Sequence, residues 1–395
     1  MSFAIALSGI NAINAELDTI SNNIANSGTA GFKSGRANFA SMYAGTQATG
    51  AEVSSVTQTI EEGGSVTSTG RSMDAAISGR GFFVSRDASG TMVYSRVGMF
   101  TVDKTGMVID SAGRKVQGYA AVEGSTALGA LGDLTVPNGQ IAAKASDTVK
   151  YVSNLSRDWT VPTITPFNPA DPLTFNSSNV TPVYDSLGTK HTVTQYFVKT
   201  GTNAIDVHYT FDGAAVATTQ SLAFDSNGVL TSPNAPVSLN LGTPTGANAL
   251  VVSLDYAGTT QYAGESVPTV NSANGYASGT LISTALEEDG SVMAQYSNGQ
   301  KKRVGTVALA AFPSEGALTP VSDTSWTAST ASGEALLFAA GTGMTGKLTT
   351  GSIEQSNVDM TGELVGLMSA QRNYQANTKV LSTENEMMQS LMQAV

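Results

Sequence analysis

The sequence predicts a multidomain chain with α-helical ends and a mainly-β body, and three observations carry that expectation. Both ends follow heptads, turn signals running from Asp to Gly recur through the body, and nine of the twelve prolines lie between about residues 145 and 283. A heptad seam requires a partner helix. Recurrent Asp-Gly turns and clustered prolines belong to hairpins, sheet edges and loops.

At the front, Phe3, Ala6, Ile10, Ile13, Leu17, Ile20 and Ile24 alternate steps of three and four. This winds one apolar seam down a helix over residues 2–26, roughly 35 Å long. Gly9 inside it costs about 1 kcal/mol relative to alanine and marks a point of close packing. At the back, a helix beginning near Asp359 carries Met360, Leu364, Leu367, Gln371, Tyr374, Thr378, Leu381, Asn385, Met388, Met392 and Val395 at the same spacing. Polar Gln371, Thr378 and Asn385 interrupt that seam, at a cost in stability and a gain in register. Residues 1–28 and 357–395 are therefore expected to pair, within one molecule or between copies.

Residues 29–70 are rich in Gly, Ser, Thr and Ala and read as an extended connector, with Phe32, Phe39 and Tyr43 as anchors. Residues 71–144 read as strand and turn. Asp87–Gly90, Asp103–Gly106 and Asp110–Gly113 share one turn form, which returns at Asp185–Gly188 and Asp225–Gly228. The Asp accepts from the backbone two residues on, and the Gly supplies the left-handed position. Residues 145–283 form a separate β segment, with strands at Val193–Val198, Ala204–Phe211 and Leu250–Tyr256. Strand character resumes over 284–356, clearest at Val304–Phe312.

Composition excludes several function classes. A net charge of −11 argues against nucleic acid, which needs clustered Lys and Arg. No run of about 18 apolar residues is present, so no membrane insertion is expected. The absence of cysteine removes disulfides, thiolate metal sites and cysteine nucleophiles. The front of the chain lacks a basic flank before an apolar core, so no cleaved signal peptide is expected.

Gly341-Thr-Gly-Met-Thr-Gly346-Lys347 satisfies GxGxxG and nearly satisfies a phosphate-binding loop, but Leu348 stands where the magnesium-binding hydroxyl belongs. Both motifs need a helix immediately afterwards, and Leu-Thr-Thr-Gly-Ser-Ile is β- and turn-forming. A secreted β-rich enzyme or nucleotide-binding protein using Gly341–Lys347 is the alternative of another class. His191 and His208 are the only histidines and fall in expected strands. Glu287, Glu288 and Asp289 lack the spacing of a calcium loop. No catalytic residue, cofactor or metal is assigned, and an assembling subunit is favoured over an enzyme.

The run Asn22-Asn23-Ile24-Ala25-Asn26-Ser27-Gly28-Thr29-Ala30-Gly31-Phe32-Lys33 closely resembles the N-terminal signature of the bacterial flagellar rod and hook proteins. Ser356-Asn357-Val358-Asp359 and Ala370-Gln371-Arg372-Asn373-Tyr374-Gln375-Ala376-Asn377 are similar to the C-terminal signature. Gly79–Phe83 and Tyr94–Phe100 also fit, and the long middle segment resembles that of hook rather than distal rod subunits. The resemblance implies an inner coiled-coil domain from the two ends and an inner β domain from 71–144 with 284–356. Residues 145–283 become an outer β domain inserted in the inner one. It further implies copies stacked helically into a short curved tube, a universal joint passing torque from rod to filament. Its partners would be other copies, the rod, the hook cap, the hook-filament junction proteins and the type III export apparatus. The resulting location is extracellular, in the flagellum.

Overall fold

The computed structural model describes residues 2–44, 47–122 and 124–394; Val395, at the end of the expected rear seam, lies outside them. The chain divides into two compact units. The first comprises residues 1–138, 282–295 and 301–395, and the second residues 139–281 and 296–300.

The first unit begins with helix α1 (Ser2–Ala25) and ends with helix α2 (Met360–Ala394). Residues 29–70 differ from the expected connector. Strands β1 (Gly35–Ala44) and β2 (Gln47–Gln58) form a long antiparallel hairpin, with register shifts at Asn38/Phe39 and Met42/Tyr43. Such shifts mark bulges, which twist and bend a two-stranded ribbon. Small Gly, Ser, Thr and Ala side chains hid its alternation, because they carry little apolar contrast. Strand β3 (Val66–Ser68) pairs with Ser352–Glu354, and β4 (Ala75–Ser78) pairs with Lys347–Thr350. These two ladders bring the stretch after the hairpin beside the stretch before α2.

A branched sheet forms the body of this unit, with Lys301–Ala311 joined to Lys115–Ala121 and Phe82–Arg86. Phe82, Val84, Tyr94, Phe312 and Trp326 fill its core. Their rings meet edge to face, with Phe82 centred 5.7 Å from Trp326 and Tyr94 4.8 Å from Phe312, an arrangement favoured by the ring quadrupoles. Trp326 donates its indole N–H to Gln58 Oε1 at 2.8 Å and so ties the base of the hairpin to the core.

The second unit packs two sheets. Ser177–Tyr184, Lys190–Gly201, Ala204–Phe211, Ala214–Phe224 and Leu230–Ser232 follow one another as antiparallel neighbours. The other sheet holds Thr148–Asn154, Val237–Asn240, Val251–Asp255 and Val267–Ala273. Alternate residues point inward, as Val193, Gln195 and Phe197 do. Buried polar groups complete one chain: Tyr209 and Tyr256 hydroxyls meet at 2.9 Å, and Tyr256 donates to Gln195 Oε1 at 2.7 Å. Gln195 donates to Thr181 Oγ1, which donates to Asn271 Oδ1.

All five Asp-to-Gly turns close in one way. Oδ1 of Asp87, Asp103, Asp110, Asp185 and Asp225 accepts amides two and four residues on. The leading donors Ser89, Thr105 and the Val229 amide hold Asp87, Asp103 and Asp225 below the usual carboxylate value. Gly113 (φ +79°) has open space around it, whereas a Cβ on Gly228 (φ +76°) would lie 2.6 Å from the Gln261 carbonyl.

His191 ties the Asp185 turn to the Asp212 connection between Ala204–Phe211 and Ala214–Phe224, with Nδ1 2.6 Å from Asp212 and Nε2 3.4 Å from Asp185. Burial disfavours its charged form, but the hydrogen bonds to Asp212 and Asp185 outweigh burial and raise its pKa. A raised pKa adds stability that is complete below the ordinary histidine value and is lost as pH climbs through the folded-state value. The stability that His191 adds to the second unit should therefore be lost as pH rises above about 6.5, the ordinary histidine value, so the gap in unfolding temperature between the unsubstituted chain and His191→Gln should narrow with rising pH; a gap that does not change with pH would contradict the bridge. In the turns, Gly113→Ala should cost about 1 kcal/mol and Gly228→Ala clearly more, measured by urea unfolding.

Candidate assembly surface at the paired termini

The two ends of the chain are joined around a buried charge cluster. Gly31 turns the chain out of the α1 region at φ +67°, where a Cβ would meet Val97 Cγ2 at 2.8 Å, so only glycine fits. Its amide donates to the Glu354 carbonyl at 2.9 Å. Two residues on, Lys33 is fully buried and places Nζ 2.6 Å from Glu354 Oε1 and 2.5 Å from the Glu62 carbonyl. The Gly64 amide donates to the same Oε1, and Arg96 Nη1 lies 3.5 Å from Oε2. Arg96 also donates to the Gly79 carbonyl and stacks 5.2 Å over the Phe82 ring. Burial pulls the Lys33 pKa down, and the Glu354 carboxylate opposes that pull.

Asparagines clamp both sides of this cluster. Asn23 accepts the Gly35 amide and donates to the Gly35 carbonyl and to Glu363 Oε1, each at 2.8 Å. Asn357 accepts the Ser34 amide at 2.7 Å and donates to the Thr59 carbonyl at 3.0 Å. Its own amide donates to the Phe32 carbonyl. Thr29 donates its hydroxyl to Asn26 Oδ1, and Asn26 donates back to Asn22 in the last turn of α1. Asp359 caps α2: its side chain accepts the Thr361 amide, and its carbonyl accepts the Glu363 amide.

From this joint the helices run antiparallel. Asn23 bonds Glu363, a Cβ on Gly366 would lie 3.4 Å from Ile20, and one on Gly9 would lie 3.1 Å from Asn377. In each pair the residue numbers total 386. Ile13, Ile20 and Ala370 are buried together, with Leu17, Ile24 and Leu367 against them. Ile10 and Leu381 are half-buried. Phe3, Met360, Leu364, Tyr374, Met388 and Met392 are exposed in the single chain, as are Gln371, Arg372, Thr378 and Asn385.

The face of α2 that meets α1 is thus Glu363, Gly366, Leu367, Ala370 and Asn377, offset from the expected apolar heptad. Small residues decide this. Gly366 and Ala370 let the backbones approach, whereas a reading that counts only large apolar residues passes over them. The hairpin lies along the same pair, with the Ala51 amide donating to Ser8 Oγ at 3.3 Å. Phe32 is half-buried, whereas Phe39 and Tyr43 are 47% and 65% exposed.

The other candidate sites resolve differently. The glycine loop is followed by the strand Lys347–Thr350 rather than a helix, and the Gly341, Thr342, Thr345 and Gly346 amides are all bonded to backbone carbonyls. Phosphates therefore meet no helix N-terminus there, and four of the loop's amides are already taken. Glu287–Gly290 is a hairpin turn closed by Asp289 on Ser291. Among the described residues, no group of three or more His, Cys, Asp and Glu is placed to hold a metal, and no helix is long and apolar enough to cross a membrane.

Protein-family models match most of the chain. Residues 3–33 match "Flagella basal body rod protein", 76–151 "Flagellar hook protein FlgE/F/G D1 domain", 154–276 "Flagellar basal body protein FlaE D2 domain" and 349–394 "Flagellar basal body rod FlgEFG protein C-terminal". Flagellar hook protein FlgE of Salmonella typhimurium is 40% identical over 402 residues, spanning 99% of both chains. The chain belongs to the flagellar hook protein family. The Escherichia coli member is 38% identical over 405 residues, again across 99% of both chains. That of Treponema pallidum is 30% identical over 457 residues, covering 98% of this chain and 97% of its own. The crystal structure of the Helicobacter pylori hook protein FlgE2 shares the fold, with a TM-score of 0.53 over 71% of this chain and 98% of that one at 14% identity.

Within this family of hook subunits, the signature residues Asn23, Asn26, Thr29, Gly31, Asn357 and Asp359 serve the joint, and Phe32 lends it a carbonyl. Sequence reasoning missed Glu354 and Arg96, whose partners lie hundreds of residues away; the one signal was a lone Lys33 beside an apolar Phe32. Removing one partner of a buried ion pair typically costs about 3–5 kcal/mol. Lys33→Met should destabilise the first unit by that order, read from Trp326 fluorescence during urea unfolding in a Trp159→Phe background. An unchanged midpoint would show that the cluster does not hold the joint.

Proposed function

We propose that the chain is the repeating subunit of a curved tube, a universal joint that transmits torque from the flagellar rod to the filament. The relationship to hook proteins over the full length of both chains carries this reading. It is supported by apolar side chains left uncovered on the helix pair, among them Phe3, Leu364, Val365, Met368 and Met388. Neighbouring copies would cover them. The seam residues Phe3, Ile10, Ile13, Leu17, Ile20, Ile24, Met360, Leu364, Leu367, Tyr374, Leu381, Met388 and Met392 then divide between the pair within a copy and contacts between copies. Gln371, Arg372 and Asn377 would set register.

On this reading the paired ends line the inside of the tube, the β body of the first unit surrounds them, and the second unit forms an inserted outer domain. The helices resist twist because close-packed interfaces do not slide freely. Outer domains with polar, weakly charged surfaces make small wet contacts that shift as the tube bends. The subunit performs no catalysis, and it would travel unfolded through the type III apparatus to join rod, cap and junction proteins outside the cell. A distal rod protein would instead give rigid, straight polymers.

Electron microscopy of the purified chain in salt should show curved tubes. Leu17→Asp places an unpaired charge in the helix seam and should abolish them while leaving the β units folded by circular dichroism. Deleting residues 139–281 should leave tubes that are straight. Straight polymers from the full chain would favour the rod reading, and normal tubes from Leu17→Asp would remove the helix pair from assembly.

A further inference from the structure

Helix α2 outruns its partner. With paired numbers totalling 386, Ser2 of α1 faces residue 384, and residues 385–394 of α2 extend past it. Met387, Met388, Leu391 and Met392 on this stretch are 63–75% exposed. At about 100° per residue they fall within about 140° of one another, so they form one apolar stripe. The stripe continues the contact face of α2 through Leu381 to Met388 and Leu391, past the described residues of α1.

A complementary surface lies elsewhere on the same unit. A groove of about 390 Å³ opens between α1, the hairpin and α2. Small residues line much of it, namely Gly9, Ala12, Ala51 and Ala376, with Phe39 as a large exposed wall. We propose that this groove receives the Met388–Met392 stripe from α2 of a second copy. The inference rests on the hook-subunit reading and names which surfaces of two copies meet.

The occupant follows from geometry. The chain's own stripe cannot enter, because Met388 and Met392 lie about 18 and 24 Å from Ala376 along the same straight helix. Small groove residues allow a helix to approach closely, and unbranched methionines fill irregular gaps. Charge neither attracts nor selects here, since Glu16 in the groove and Glu384, on the stripe's face of α2 one turn before Met388, carry the same sign. Salt should therefore strengthen the contact by screening that repulsion and by favouring apolar burial.

The cysteine-free chain makes the test direct. Ala376→Cys and Met392→Cys chains are prepared separately, mixed, polymerised in ammonium sulfate and oxidised with copper–phenanthroline. The mixture should give covalent dimers whose cross-linked peptide joins position 376 of one copy to position 392 of another. If either substituted chain assembles poorly, each is diluted into excess unsubstituted chain, and the same peptide is expected. In parallel, Met392→Asp should raise the concentration needed for polymerisation by roughly tenfold or more. Tubes whose cross-links join 392 only to 392, or that yield no 376–392 peptide, overturn the pairing and leave the hook reading standing. A 376–392 link in copies that never form tubes supports the pairing and contradicts the hook reading.

Discussion

The fold depends on the buried ion pair of Lys33 with Glu354, which Arg96 extends into the sheet. Three parts of the chain that are far apart in sequence are fixed at that point: the exit from α1, the entry to α2 and the β body. A lysine and a carboxylate out of water are costly alone, so neither tolerates loss of the other. Carbonyls of Glu62 and Gly79 accept from Lys33 and Arg96, and the Gly64 amide donates to Glu354 Oε1, while Arg96 Nε and Glu354 Oε2 keep only the charge contact between the two groups. The joint is specified mainly by polar geometry, whereas apolar area specifies the two β cores. The joint thereby fixes how the helix pair leaves the β body of its unit.

The helix pair beyond the joint is thinly held. Its buried core is Ile13, Ile20 and Ala370, flanked by Leu17, Ile24 and Leu367. At about 1.5–3 kcal/mol for each fully buried large side chain, this offsets little of the entropy of ordering two long helices. The β cores are far richer, with Trp326, Phe82 and Phe312 in one unit and Tyr151, Phe197 and Tyr256 in the other. Stability is thus concentrated in the body, while Leu364, Val365, Met368 and Met388 on the ends stay exposed in the single chain.

Much of this was legible in the sequence, for local reasons. The turns at Asp87, Asp103, Asp110, Asp185 and Asp225 are five-residue affairs in which an Asp and a Gly contain the whole hydrogen-bond plan. Both terminal helices were readable because their apolar spacing is local too. The β1–β2 hairpin was not, since Gly35–Gln58 is dominated by small and polar residues whose alternation shows no apolar contrast. The face of α2 was misjudged for a related reason: Gly366 and Ala370 matter through the space they leave. Glu354 and Arg96 were invisible because a buried charge reveals its partner only when the chain is folded. The signature asparagines could be located from a resemblance, but their work as clamps at Gly35, Ser34 and Thr59 required the structure.

Hydrogen exchange of the monomer, followed by mass spectrometry, tests the joint most directly. The Gly31, Ser34, Gly35 and Asn357 amides are all bonded across it. Peptides covering residues 29–36 and 352–359 should exchange as slowly as those covering 82–86 and 307–312 in the β core, while residues 385–394 exchange fast. Exchange at 29–36 and 352–359 as fast as in the last turns of α2 would contradict the account.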